Sequence, residues 1–231
     1  MKKILLAILI LSIAFTGIAQ RKVDETFRTN GAAKVKLHLK FAREIKIVQG
    51  AGNDIRLTAS VNIDEGAGNS VYQLKTSEAS GIFQVEDDYG DYFEKKRKEN
   101  NGKSYGTNIE ITYVIYVPEN ISLIVKSISG NLVTENFKGD LETDLVSGDV
   151  GIKAYTGKLT LKTVSGSLDV AMNTANIDAR TVTGTIYSDL DIDIQNKKEG
   201  GYSSHIKGTV NGGKDLVKLE TVSGNIYMRK K

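Results

Sequence analysis

The chain has 231 residues, with 31 Lys and Arg against 28 Asp and Glu, a single proline, no tryptophan and no cysteine. A formal charge of +3, spread along the chain, excludes nucleic-acid binding driven by phosphate neutralisation, which needs a concentrated basic face. Without cysteine no disulfide framework is available, so core burial and backbone pairing must supply the stability.

Residues 1–19 read as a signal peptide: Lys2 and Lys3, an apolar run from Ile4 to Phe15, then small residues at Gly17 and Ala19. The apolar run falls short of the roughly twenty residues that cross a bilayer core. Cleavage is expected after Ala19, leaving Gln20 first and no transmembrane segment. Removing the two lysines lowers the basic count from 31 to 29 against 28 acids, a charge of about +1.

Residues 20–125 form a β-rich portion. Val35, Leu37 and Leu39 alternate with lysines and His38; Ile45 and Ile47 alternate with Glu44 and Lys46; Ile55, Leu57 and Ala59 alternate with Asp54, Arg56 and Thr58. Tyr72 to Thr76, Ile82 to Glu86 and Ile109 to Val117 continue the pattern. No stretch of ten residues shows a helical period, so no substantial helix is expected. Residues 87–108 break the alternation with a charged, tyrosine-rich insertion, read as a disordered insertion or as a binding loop using Tyr89, Tyr92, Phe93 and Tyr105.

From residue 126 a repeat takes over. Gly130, Gly139, Gly148, Gly157 and Gly166 recur every nine residues, and the third position of each nonapeptide is Leu, Val or Ile. Ser129-Gly130, Ser147-Gly148, Ser165-Gly166 and Thr183-Gly184 mark a stronger period of eighteen. The fold class expected is all-β: a single-chain parallel β-solenoid over 126–231, with coils of about eighteen residues, each two nine-residue half-coils, and more irregular coils before it. Leu132, Val150, Leu168 and Ile186 would form one apolar ladder, and Leu141, Leu159 and Ile177 another. Glu220 to Tyr227 would be the last coil, with Met228 to Lys231 a charged end that discourages further stacking. The two portions read as one continuous domain.

The residues that could carry chemistry are few. One glycine per nonapeptide does not make a calcium β-roll, which uses G-G-x-G-x-D units. Asp189, Asp191 and Asp193 alternate with apolar residues, which would set three carboxylates on one strand face; Asp87, Asp88 and Asp91 have no fixed geometry. His38 reads as a wet-face strand residue and His205 as part of a loop beside Ser203 and Ser204, with no nucleophile elbow. Ser and Thr before the glycines read as turn residues whose hydroxyls bond local backbone. No catalytic residue, cofactor or metal site is assigned, and the candidate ligand contacts are Tyr89, Tyr92, Phe93, Tyr105, Asp189, Asp191 and Asp193.

The run Ile111-Thr112-Tyr113-Val114-Ile115-Tyr116-Val117-Pro118, followed by Leu123 and the S-G-x-L and T-G-x-I units, resembles the bacterial putative-adhesin domain family of unknown function. The resemblance spans about residues 30–231 and implies an exported β-solenoid in the periplasm or at the cell surface. It carries over no catalytic residue. The function expected is a non-catalytic binding or scaffold module for a glycan or an envelope protein; the alternative is a carbohydrate-active enzyme on a β-helix scaffold.

Overall fold

The computed structural model describes residues 20–29, 32–99, 106–198 and 203–231. In chain order the elements are β1 (Arg21–Phe27), β2 (Lys34–His38), β3 (Phe41–Gln49), β4 (Ile55–Ile63), β5 (Gln73–Ala79) and β6 (Ile82–Asp88). Helix α1 (Tyr92–Glu99) follows, then β7 (Ile109–Val117), β8 (Ile121–Thr134), β9 (Phe137–Ser147), β10 (Val150–Ile152), β11 (Tyr155–Thr156) and β12 (Leu159–Ser165). The chain ends with β13 (Leu168–Met172), β14 (Ala175–Thr181), β15 (Ile186–Ser188), β16 (Asp193–Lys198), β17 (Ser204–Val210), β18 (Leu216–Ser223) and β19 (Ile226–Lys230). The protein is all-β and solenoid-like, with alternating strands that turn one face to the interior. In β4, for example, Ile55, Leu57, Ala59, Val61 and Ile63 are all buried.

Two long ladders share one core. The first runs β5-β6-β2-β8-β9-β12-β18-β14-β17-β16. The second runs β1-β4-β7-β3-β8-β10-β13-β19-β15. The first half of β8 belongs to one ladder and its second half to the other, so the chain passes between them at a corner near Gly130. Leu123, Leu141, Leu159 and Val217 from one ladder, and Leu132, Val150, Leu168 and Ile226 from the other, join a single hydrophobic cluster. Between β8 and β13 the partners are parallel and offset by one repeat, as in Leu132 with Val150 and Val150 with Leu168. Antiparallel pairs occur towards the ends, in β1–β4, β4–β7, β5–β6, β14–β17 and β16–β17.

The corners explain the glycines. An added Cβ at Gly148 would sit 2.1 Å from the carbonyl oxygen of Gly130, and Gly148 itself has φ near 146°. The same contact repeats up the column, Gly166 on Gly148, Gly224 on Gly166 and Gly184 on Gly224. The hydroxyls that hold this column belong not to the residues just before the glycines but to buried threonines three places earlier. Thr163, Thr221 and Thr181 donate to the carbonyls of Gly148, Gly166 and Gly224 at 3.0, 2.9 and 2.8 Å.

That column also corrects the stacking order read from the repeat. The last two strands are not the outermost layer: β18 lies between β12 and β14, and β19 between β13 and β15. Ile226 therefore separates Leu168 from Ile186, and Val217 separates Leu159 from Ile177. A physical reason is visible on the outer face of the first ladder, where Lys126, Asp144, Lys162, Glu220 and Arg180 stand directly opposite one another in that order. The signs alternate at every step. Stacking in chain order would set Lys162 against Arg180, and like charges directly opposite destabilise a sheet. The strand that leads into the basic tail is likewise an interior one, flanked on both sides from Ile226 to Met228.

Over residues 87–99 the tyrosine-rich insertion is largely strand and helix, which corrects its reading as a disordered insertion. Its first residues complete β6, and Tyr92–Glu99 form a helix of 8 residues, too short to show as a ten-residue period. Tyr89 is buried, and Tyr92 and Phe93 pack against the core. Phe93 meets Tyr89 and Phe41 with ring centroids 5.3 and 5.7 Å apart. A stacked fold must cover the apolar end of its core, and these rings do so.

Candidate functional site

The outer face of the second ladder holds a groove of about 530 Å³. Strand pairing aligns Lys46, Val133, Gly151, Asp169, Tyr227 and Tyr187 in one row across six strands. Gly151 and Ala171 lie among the groove-lining residues as its smallest side chains. Two ion pairs border them. Lys153 reaches Glu135 at 2.9 Å, and Arg229 binds Asp169 in bidentate fashion, Nε to Oδ1 at 2.7 Å and Nη2 to Oδ2 at 2.7 Å.

Gly151 differs from the corner glycines. It does not have a positive φ, and an added Cβ would meet only Val133 Cγ1, at 3.7 Å. Backbone and packing would both accept a side chain there.

At one end of the row the rings of Tyr187 and Tyr227 stack with centroids 5.2 Å apart and planes inclined by 9°. The Arg229 guanidinium lies 5.3 Å from the Tyr227 ring centroid, which ties the aromatic pair to the Arg229–Asp169 bridge. Tyr187 is 50% exposed, on the strand that ends this ladder. A separate surface feature lies beside the corners, where Ile128, Val146, Val164 and Val222 are exposed in successive layers.

The residues singled out from sequence occupy other places. Tyr89 donates to Asp87 Oδ2 at 2.8 Å, and Tyr92 donates to an Asp64 oxygen. Tyr105 lies outside the described residues. Asp87 is wholly buried, accepting the backbone N–H groups of Lys40 and Phe41 and the hydroxyls of Tyr89 and Tyr113. Burial pushes its carboxyl above the usual carboxylate range in spite of those donors.

Asp189, Asp191 and Asp193 do not share a strand face: residues 189–192 are not in a strand, and β16 opens only at Asp193. Asp189 accepts the Lys230 backbone N–H at 2.6 Å, while Asp191 and Asp193 are exposed. His205 lies in β17 rather than a loop, with Nε2 2.7 Å from Asp178 Oδ1. Burial opposes ionisation of Asp178, yet His205 and Lys207 hold its carboxyl below the usual range. His38 sits 3.5 Å from Glu86, which also pairs with Lys40. Among the described residues no group of three or more His, Asp or Glu side chains is placed to hold a metal ion.

The groove and the tyrosine pair beyond its end were not found from sequence. A signal existed, because Gly184-Thr185-Ile186-Tyr187 and Gly224-Asn225-Ile226-Tyr227 place Tyr at the same point of the repeat. Only the layer order makes the two rings neighbours.

Comparison with known proteins places the chain in context. Residues 119–229 match the Toastrack DUF4097 family. A crystal structure of a putative cell adhesion protein from Clostridium sporogenes aligns with a TM-score of 0.62, at 15% identity, over 92% of this chain and 100% of that one, a likeness of fold. A putative adhesin from Bacteroides fragilis aligns over 91% of this chain and 97% of that one, at 11% identity and a TM-score of 0.39. No curated protein matches the sequence. No helix among the described residues is long and apolar enough to cross a membrane.

Proposed function

We propose that this chain, which carries a Toastrack domain over residues 119–229, is an exported, non-catalytic binding module of the cell envelope. In this reading residues 1–19 are removed on export, and residues 20–231 act as one continuous body of stacked coils, eighteen residues each where the repeat is regular. The offset of one repeat between β8, β10 and β13 supports that coil length.

The observation that carries the reading is the groove beside Tyr187 and Tyr227. Its floor is opened at Gly151, its rims are charged, and the strands beneath it are fixed by parallel pairing on both sides. Such a surface is preorganised, so little ordering entropy opposes binding. The name of the similarly folded Clostridium sporogenes structure, a putative cell adhesion protein, agrees with a binding role.

The test is saturable binding of the labelled full-length chain to isolated envelope fractions, before and after protease and periodate treatment, with recovered fractions assayed for polysaccharide cleavage. Saturable retention without cleavage is the expected result. Lack of retention, or turnover of any fraction, would overturn the reading.

A further inference from the structure

The geometry points to a neutral glycan as the occupant of the groove, lying along the row from Lys46 and running on across the exposed rims of the Tyr227 and Tyr187 rings. This deepens the binding-module reading and rests on it.

Gly151 is the first reason. A glycine inside a strand costs about 0.5–1 kcal/mol relative to alanine, and here neither a left-handed φ nor a close contact requires it. Its row neighbours Val133 and Asp169 carry side chains. The missing side chain leaves the groove floor open over the width of a strand.

Charge is the second. The groove is lined by Glu44, Glu135 and Asp169 against Lys46, Lys153 and Arg229, three of each sign. Four of these six are joined in the Glu135–Lys153 and Asp169–Arg229 pairs. A balanced groove has no field to collect a polyanion, which argues against acidic polysaccharides and nucleic acids. What it offers are fixed acceptors and donors, side by side, the arrangement that suits the vicinal hydroxyls of a sugar, which both donate and accept.

The aromatic pair is the third. A pyranose presents an apolar C–H face as well as hydroxyls, and the half-exposed Tyr187, one face covered by Tyr227, offers an apolar ring rim and a polar tip. Tyr187 is held in place by Tyr227, and Tyr227 in turn by Arg229. The row crosses six strands, and strands spaced about 4.8 Å apart give a track of roughly 24 Å, enough for several sugar units.

The test titrates the full-length chain, and its Gly151→Thr and Tyr187→Ala variants, with neutral gluco-, manno-, xylo- and chito-oligosaccharides. An acidic polysaccharide and an unstructured peptide form the comparison arms, and thermal melts report folding. The expected result is binding of a neutral oligosaccharide, with about a tenfold loss of affinity in each variant, the scale of one good contact. Gly151→Thr should melt no lower than the parent, since Thr suits a strand and the site has room.

If both folded variants bind the oligosaccharide like the parent, the location is wrong and the binding-module reading stands. Preference for the acidic polymer or the peptide overturns the ligand class alone. Failure of the parent to bind neutral sugars, together with loss of envelope retention, removes both.

Discussion

The rings of Tyr187 and Tyr227 stack at 5.2 Å although forty residues separate them, because β19 is laid directly against β15. A double-mutant cycle of Tyr187→Ala and Tyr227→Ala, read by urea unfolding, should give a coupling of about 0.5–1.5 kcal/mol, the range of a stacked aromatic pair. Strict additivity would mean that the layers do not meet in this order.

The same layer order governs exchange with solvent. Amides of residues 217–221, although near the end of the chain, are paired on both sides by β12 and β14. They should exchange as slowly as those of residues 159–163, and far more slowly than those of β16, which pairs only with β17. Fast exchange across 217–221 would return the final strands to an outer edge.

Two glycines should respond in opposite ways to alanine. At Gly148 the new Cβ meets the Gly130 carbonyl oxygen at 2.1 Å and φ is positive, so a loss of roughly 3 kcal/mol or more is expected, in the upper tail of single substitutions. At Gly151 the Cβ meets only Val133 Cγ1, at an ordinary contact distance of 3.7 Å, and a gain of about 0.5–1 kcal/mol should follow from the stiffer unfolded chain. Chemical denaturation of the two variants side by side checks both.

Glu220 stands between Lys162 and Arg180. Glu220→Lys would put three cations in a line and should cost about 1 kcal/mol. Most of that loss should vanish near 1 M salt, where the screening length falls to roughly 3 Å. A salt-independent loss would point to packing instead.

Asp87 sets a dependence on pH. Its carboxyl is raised by burial, and an acid raised in the folded state stabilises fully only below its unfolded pKa, losing that contribution as pH climbs through the folded value. Asp87→Asn cannot ionise. It forfeits acceptor capacity for the Lys40 and Phe41 N–H groups and so should be less stable than the parent at pH 4, with the gap narrowing towards about pH 7, above the usual carboxylate range. Urea midpoints at both pH values measure it, and a constant gap would show that Asp87 ionises as an ordinary aspartate.

Period-two alternation and a nine-residue glycine spacing are local properties, and they made the strands, the corners and the inward Leu, Ile and Val legible before any fold was in hand. The helix α1 escaped because a polar segment of 8 residues leaves no period to read, and its aromatic neighbours looked like a ligand surface because sequence does not say which way a ring points. The three aspartates near residue 190 satisfied an alternation that no strand enforces there. In the candidate groove, Gly151 lies off the nine-residue series and drew no attention in the sequence, and its conformation and surroundings are unlike those of the corner glycines.

By itself, then, the sequence determined the unit: a short strand, a corner where glycine recurs, another short strand, and an apolar ladder inside. The order of the units was decided by the tertiary structure alone. Every layer presents much the same backbone edge and the same aliphatic side chain to its neighbour, so the repeat specifies a spacing but not a sequence of partners. The contacts that discriminate are long-range ones: the alternating charges from Lys126 to Arg180, the Arg229–Asp169 bridge, and the Tyr187–Tyr227 stack. The Glu220 steps of that row, the bridge and the stack exist only because the chain's last two strands lie between earlier layers.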